Sequence, residues 1–271
     1  MALGSSLFRE VSDSIGKKEI QKQSAGIYTI TFLSLIFGVL FLVITAILRG
    51  VFYFSFESIP TLAIRIVIEI VLYCITMSAL AKADRSIFGF VRTLTIPLLL
   101  ATDLIMGYTI GLIQIIGIII IVFAIAFVGF SKNFNKKGLG LLLVSAVLPV
   151  ATISIYKYNI SHFNSVEAEQ IIVSLFLLTF FFIMAIVKDK ENPLKFILKP
   201  IFFLQAAASG FCAVFESFAY QFASPSVVIA ILRGGAVLFS TLSGDIYFKE
   251  KRPLLKFLVA VCIIIGLLFL I

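Results

Sequence analysis

The sequence contains few of the residues that build catalytic and metal centres. It has one histidine, His162, and three cysteines, Cys74, Cys212 and Cys262, which lie inside apolar stretches without CxxC spacing. This pattern predicts neither a zinc site nor a disulfide framework. The HExxH, GxSxG and phosphate-loop motifs are also absent from the sequence. We therefore expect a protein that is not an enzyme and that needs no metal and no cofactor.

Charged residues are scarce as well. They make up 13% of the 271 residues, whereas hydrophobic residues make up 61%, and the mean hydropathy is +1.15. A typical soluble domain is about 25% charged and about 45–50% apolar. The composition therefore excludes a separate soluble domain and predicts a polytopic, all-α membrane protein. The net charge of +8 is interpreted as a set of basic loops that orient the chain, and no nucleic-acid partner is expected.

Ten stretches of the chain are predicted to cross the membrane, because about 20 residues of helix span a hydrocarbon core of about 30 Å. They are residues 1–20, 26–48, 61–81, 86–106, 111–130, 140–156, 168–187, 201–220, 226–248 and 255–271. The first of them is amphipathic, with an apolar stripe of Leu3, Leu7, Val11 and Ile15. It could lie in the membrane interface. We favour a span that lines a polar cavity, because its repeat partner is plainly apolar.

A weak internal repeat appears when the sequence is shifted by about 140 residues. Arg65 then meets Gln205, Ser86 meets Ser226, and Arg92 meets Arg233 after one extra residue. The shared offset predicts two five-helix repeats, residues 1–131 and 132–271. Because five spans per half is an odd number, the second half must be inverted relative to the first, as in many secondary transporters.

The loop charges are distributed very unequally between the two ends of the predicted spans. Nearly all loop lysines and arginines fall on one side, whereas Arg49 and Lys157 fall on the other. The positive-inside rule then places the basic loops in the cytoplasm and both termini outside, for a multi-pass protein of the plasma membrane.

Charged and polar side chains deep within five of the spans are predicted to border one central pathway for a substrate or an ion, because such groups avoid lipid. These candidate residues are Arg9, Glu10, Asp13, Arg65, Glu69, Tyr73, Arg92, Gln205, Ser209, Glu216, Tyr220 and Arg233. The alternative for Arg65–Glu69 and Arg9–Asp13 is a purely structural ion pair along one helix. Glu216 has no cation on its own helix face, so we expect it to favour its neutral form unless Arg92 or Arg233 approaches it across the cavity. It is then the best candidate for carrying a proton, and the alternative is a structural hydrogen bond to a tyrosine or a serine.

The segment from Ser226 onward resembles the ninth and tenth helices of the EamA-like form of the drug/metabolite transporter superfamily. The resemblance rests on a charged ninth helix that ends in Glu250, and on a tenth helix that contains Gly266. The five-plus-five layout extends it over the whole chain, although Gly107 and Tyr108 stand where the first half would carry a glutamate. In this family the termini are usually drawn in the cytoplasm, opposite to the charge distribution here.

The resemblance implies a carrier of small metabolites or drugs that works by alternating access, as a monomer or a homodimer. The expected partners are a small-molecule substrate, the lipid bilayer and, as a candidate coupling ion, the proton. A passive channel or facilitator is the alternative. An intramembrane enzyme acting on a lipid-linked substrate is less favoured, because the sequence shows no acid/base or metal constellation.

Overall fold

The computed structural model describes residues 2–83, 85–129, 138–246 and 253–269, which contain helices and no strand. The helices are α1 (Ala2–Gln21), α2 (Ile27–Arg49), α3 (Ile59–Lys82), α4 (Arg85–Arg92), α5 (Thr95–Ile105), α6 (Leu112–Gly129), α7 (Leu139–His162), α8 (Val166–Met184), the single turn α9 (Leu194–Ile197), α10 (Pro200–Phe222), α11 (Pro225–Ile246) and α12 (Pro253–Leu268). A 3-10 turn, Phe56–Ser58, precedes α3, and a π-helical turn, Ala185–Asp189, extends α8.

Five helical segments are long and apolar enough to cross a membrane: Ile27–Arg49, Phe56–Lys82, Leu139–His162, Val166–Asp189 and Pro200–Phe222. The described parts of three further helices, Thr95–Ile105, Leu112–Ala124 and Pro225–Phe239, are apolar but shorter. The chain is therefore an all-α protein with the helices of a multi-pass membrane protein. The predicted glutamate of the ninth helix, Glu250, lies outside the described residues.

The fourth predicted span is not one helix. It is divided into α4 and α5 by a turn at Thr93 and Leu94. Pro97 lies in the first turn of α5, where its ring and missing N–H prevent a helical hydrogen bond back to Thr93. Thr95 stabilises the break, because its hydroxyl donates to the carbonyls of Arg92 (2.9 Å) and Ala146 (2.6 Å). The prediction of a continuous helix over residues 86–106 is therefore wrong.

The first helix packs inside the bundle, against α10 and α11. Its polar face is buried, including Ser5, Ser6 and Glu10, whereas Leu3 and Leu7 are exposed. Ser6 donates to the carbonyl of Leu232 over 2.9 Å. The polar face of α1 therefore lies among neighbouring helices, whereas the first half of its apolar stripe, Leu3 and Leu7, lies on the outside of the bundle.

The beginning of α2 and the segment after α8 lie together at one end of the bundle. The backbone N–H of Gly26 donates to Glu191 (2.9 Å), and that of Thr29 donates to Asp189 (2.8 Å). At the same end, Lys17 donates to the carbonyl of Ala83 over 2.8 Å. The described lysines of this end are Lys17, Lys18, Lys22, Lys82, Lys188, Lys190, Lys195 and Lys199.

The opposite end joins the loop after α2 to the beginning of α8. The N–H of Ser165 donates to the carbonyl of Tyr53 over 2.9 Å, and the N–H of Ser55 donates to the side chain of Asn164, also over 2.9 Å. Arg49 and Lys157 lie at this end. The two ends of the molecule thus differ strongly in the number of basic residues that they carry.

Candidate functional site

A cavity of about 190 Å³ lies between helices α1, α2, α3, α4, α7, α8, α10 and α11. Ten of the twelve residues predicted from the sequence line it: Arg9, Asp13, Arg65, Glu69, Tyr73, Arg92, Ser209, Glu216, Tyr220 and Arg233. The spacing of polar residues along separate helices thus identifies side chains that the fold brings to one place.

The other two candidates, Glu10 and Gln205, lie outside the cavity lining. Glu10 is buried and accepts a hydrogen bond of 2.7 Å from Ser14 on its own helix. Gln205 is buried between helices and donates to the hydroxyls of Ser12 (3.2 Å) and Ser34 (2.6 Å). These bonds connect α10 to α1 and α2, so the position of Gln205 is that of a helix-packing residue.

Glu216 forms an ion pair with Arg9, whose Nη2 donates to its Oε2 across the contact between α10 and α1. The two side chains keep 31% and 22% of their surface exposed for Arg9 and Glu216, respectively, so the pair faces the cavity. Glu216 therefore has a cationic partner, supplied by a helix 207 residues away in sequence. Asp13 lies within electrostatic reach of Arg9 on the same helix, so the structural Arg9–Asp13 pair stays a prediction beside the pair with Glu216.

Arg65 is the centre of a second, deeply buried charge cluster. Its Nη1 donates to Glu169 over 2.8 Å and its Nη2 to Gln170 over 2.9 Å, while Glu69 lies 3.9 Å from its Nε. Its guanidinium also lies 4.4 Å from the ring centre of Tyr156. The predicted Arg65–Glu69 pair exists, but the shorter contact is with Glu169.

Glu169 is not among the predicted site residues, because it lies at the beginning of an otherwise apolar span. Glu169 is fully buried, and it accepts hydrogen bonds from Asn159 (2.9 Å) and Asn164 (2.6 Å) in addition to the one from Arg65. Glu167 is also fully buried and pairs with Arg49 over 2.6 Å. The signal available in the sequence was a pair of carboxylates, Glu167 and Glu169, in the first turn of an apolar helix. It did not indicate burial, because this position of a helix normally faces water.

Arg92 and Arg233 enter the cavity from α4 and α11. Both are 7% exposed. Within residues 2–83, 85–129, 138–246 and 253–269, neither forms an ion pair with a carboxylate. The Nε atom of each has no hydrogen-bond partner there. Arg92 lies 5.1 Å from the ring centre of Phe88.

The cavity also has polar lining residues that are not among the twelve candidates, because hydroxyl and amide groups hardly interrupt an apolar helix. They are Ser12, Ser34, Thr76, Thr152, Tyr156, Gln170, Ser174, Cys212 and Ser217. Tyr156 donates to the carbonyl of Ser217 over 2.9 Å, and Gln170 donates to the hydroxyl of Ser217 over 3.1 Å. In the described part of the chain, no group of three or more histidine, cysteine, aspartate or glutamate residues could hold a metal ion.

No protein-family model matches the sequence, and no curated protein matches it. The fold does match a solved crystal structure, which is described only as that of a protein, with a TM-score of 0.67. The match covers 98% of this chain and 95% of the other chain, at 13% sequence identity. This comparison establishes that the chain shares its fold over nearly its whole length with that protein.

Proposed function

We propose that the chain is a secondary transporter, similar to the EamA-like drug/metabolite transporters, that moves small metabolites or drugs across the membrane by alternating access. The observation that carries this proposal is the central cavity, which combines four arginines with hydroxyl and aromatic groups inside a bundle of apolar helices. Charged side chains deep in a membrane protein are costly, and they typically mark the path of a substrate or an ion. No enzymatic activity and no cofactor are part of the proposal.

The inverted-repeat architecture is part of the same proposal, and the packing of the helices supports it. We pair α1 with α7, α2 with α8, α3 with α10, α4 and α5 with α11, and α6 with α12. Helix α1 packs against α10 and α11, and its counterpart α7 packs against α3, α4 and α5. If each helix is exchanged for its counterpart in the other half, the α2–α8 contact becomes the same contact again, and so does the α6–α12 contact. Both contacts are therefore compatible with two equivalent halves. In such folds the substrate site lies at the interface of the repeats, and this cavity is lined by helices of both proposed halves.

Filling the cavity is expected to stop transport without unfolding the protein. Ser209→Trp places a large ring in the lining, whereas Leu204→Trp on the same helix adds the same ring at an exposed position. A screen of small metabolites and drugs in proteoliposomes, with and without a pH gradient, first identifies a transported compound. We expect Ser209→Trp to reduce its initial rate at least tenfold and Leu204→Trp to leave the rate within twofold.

Saturation of the rate with substrate concentration is expected for a carrier, whereas linear, uncoupled flux would assign the protein to the passive-channel class. Equal initial transport rates in the Ser209→Trp and Leu204→Trp proteins would show that the cavity is not on the transport path and so contradict the proposal.

The orientation of the chain is a separate prediction. We expect the end that carries Lys195 to face the cytoplasm and the end that carries Tyr53 to face outside, because basic loops are retained inside. Both residues are exposed. In a variant without Cys74, Cys212 and Cys262, a cysteine at position 53 should react with an impermeant thiol reagent on intact cells, and one at position 195 should react only after lysis. The reverse labelling pattern would invert the proposed topology.

A further inference from the structure

The ion pairs described above involve two of the four arginines that line the cavity. Arg9 is paired with Glu216, and Arg65 with Glu169 and Glu69. Arg92 and Arg233 have no such partner among the described residues, although the carboxylate of Asp13 also lines the cavity. Leaving buried charges unpaired is costly. The two guanidinium groups are therefore suited to receive a negative charge from a ligand.

The position of the two arginines strengthens this interpretation. Arg92 is the last residue of α4, directly before the break that Thr95 stabilises, and α4 and α5 both pack against α11, which carries Arg233. Arg9, Arg92 and Arg233 lie within electrostatic reach of one another. The guanidinium group presents a planar fork of N–H donors that matches a carboxylate or a phosphate. An oxyanion between these groups would offset their mutual repulsion and supply acceptors for the unpartnered Nε atoms.

Helices α2 and α8 pack against each other and contribute an apolar wall to the cavity, beside the polar Ser34, Gln170 and Ser174. This wall consists of Leu35, Leu42, Val173 and Leu177. We propose that Arg92 and Arg233 together bind the oxyanion of a small organic acid, whose apolar part lies against this wall. The proposal rests on the transport function proposed above and defines the substrate class of the same site as organic anions.

Benzoate and benzamide test this proposal, because they have nearly the same shape but differ in charge. Their binding is measured by isothermal titration calorimetry on the full chain in maltoside micelles. We expect benzoate to bind at least tenfold more tightly than benzamide. Increasing the salt concentration should weaken the binding of benzoate and leave the binding of benzamide unchanged. Arg92→Gln and Arg233→Gln should each weaken benzoate binding about tenfold to hundredfold, since one charge-assisted hydrogen bond is worth about 1.5–3 kcal/mol. Equal affinity for the two compounds would overturn the proposal.

The matched control is Lys195→Gln, which removes one positive charge from an exposed position outside the cavity and should leave benzoate affinity within twofold. Thermal unfolding gives a second measurement. Removing either arginine should maintain or raise the melting temperature without ligand, because repulsion is relieved. A purely structural role instead predicts a lower melting temperature and unchanged discrimination between benzoate and benzamide, and this result would also overturn the proposal.

An oxyanion could also come from a lipid headgroup. Phosphatidylglycerol added to the micelles should not displace benzoate, and displacement would assign the arginines to lipid and contradict a solute site.

The carrier proposal can fail separately from the anion-site proposal. If benzoate binding depends on both arginines but no compound crosses the membrane, the anion site stands and the transport function fails. If a neutral compound is transported equally well by wild-type, Arg92→Gln and Arg233→Gln protein, the carrier stands and the anion proposal fails.

Discussion

Replacing Glu169 by glutamine is expected to lower the free energy of unfolding by about 3–5 kcal/mol, the usual cost of removing one partner of a buried ion pair. Glu169 is fully buried, and its carboxylate lies 2.8 Å from Arg65. The substitution keeps the volume of the side chain but removes the nearer of the two carboxylates paired with Arg65 and leaves Glu69 at 3.9 Å. Denaturant unfolding of the purified protein in micelles measures the effect.

The matched control is Glu57→Gln, which removes a carboxylate from an exposed position near the same end of the bundle and should change stability by less than about 0.5 kcal/mol. A double-mutant cycle separates pairing from packing. Arg65→Leu with Glu169→Leu should recover part of the lost stability, because it removes both of these buried charges together but takes the cationic partner from Glu69. If Glu169→Gln unfolds at the same denaturant concentration as Glu57→Gln, the pair has no structural role.

The second large effect is expected at Gly210, where α10 contacts α2 closely. A Cβ atom at this position would lie 2.8 Å from the Cβ of Phe37, 2.9 Å from its carbonyl carbon and 2.9 Å from the ring of Phe41. Because a backbone atom is among these contacts, the helices must separate to accept even one methyl group. We expect Gly210→Ala to lower the free energy of unfolding by about 1–3 kcal/mol, as overpacking of a tight core does.

Gly140→Ala is the control for this prediction, since a Cβ atom there meets nothing within 4 Å. Alanine is the better helix former by about 1 kcal/mol, so Gly140→Ala should unfold at the same or a higher denaturant concentration than the wild type. If the Gly210→Ala protein also unfolds at the same or a higher denaturant concentration than the wild type, α2 and α10 accommodate the methyl group without loss of stability.

The long apolar helices could be predicted from the sequence because hydropathy and length act locally. The second predicted span, residues 26–48, corresponds closely to α2, and the eighth, residues 201–220, lies within α10. The break between α4 and α5 was missed, although Pro97 was visible, because a proline in a membrane helix can also be accommodated without a break.

Most of the charged residues that line the cavity could be predicted from the sequence, but the ion pairs between them could not. The helical spacing of Arg65, Glu69 and Tyr73 places them on one face, and all three line the cavity. That Arg9 pairs with Glu216 could not be deduced, because the relative positions of helices 207 residues apart depend on the packing of the whole bundle. Glu169 was missed for the same reason, since only the fold determines that the beginning of α8 is buried.

The inward-facing polar surface of α1 has a consequence for the synthesis of the protein. Ser5 donates to the carbonyl of Cys212, Ser6 to that of Leu232, and Arg9 to Glu216, so these partners lie at least 207 residues further along the chain. At about 5–20 residues per second, a ribosome needs roughly 10–40 s to make that length. During this interval α1 has none of these partners, and its polar side chains disfavour insertion into lipid on its own. We therefore expect α1 to be among the last helices of this bundle to reach its final position, because its polar face gains these partners only after α10 and α11 have been made.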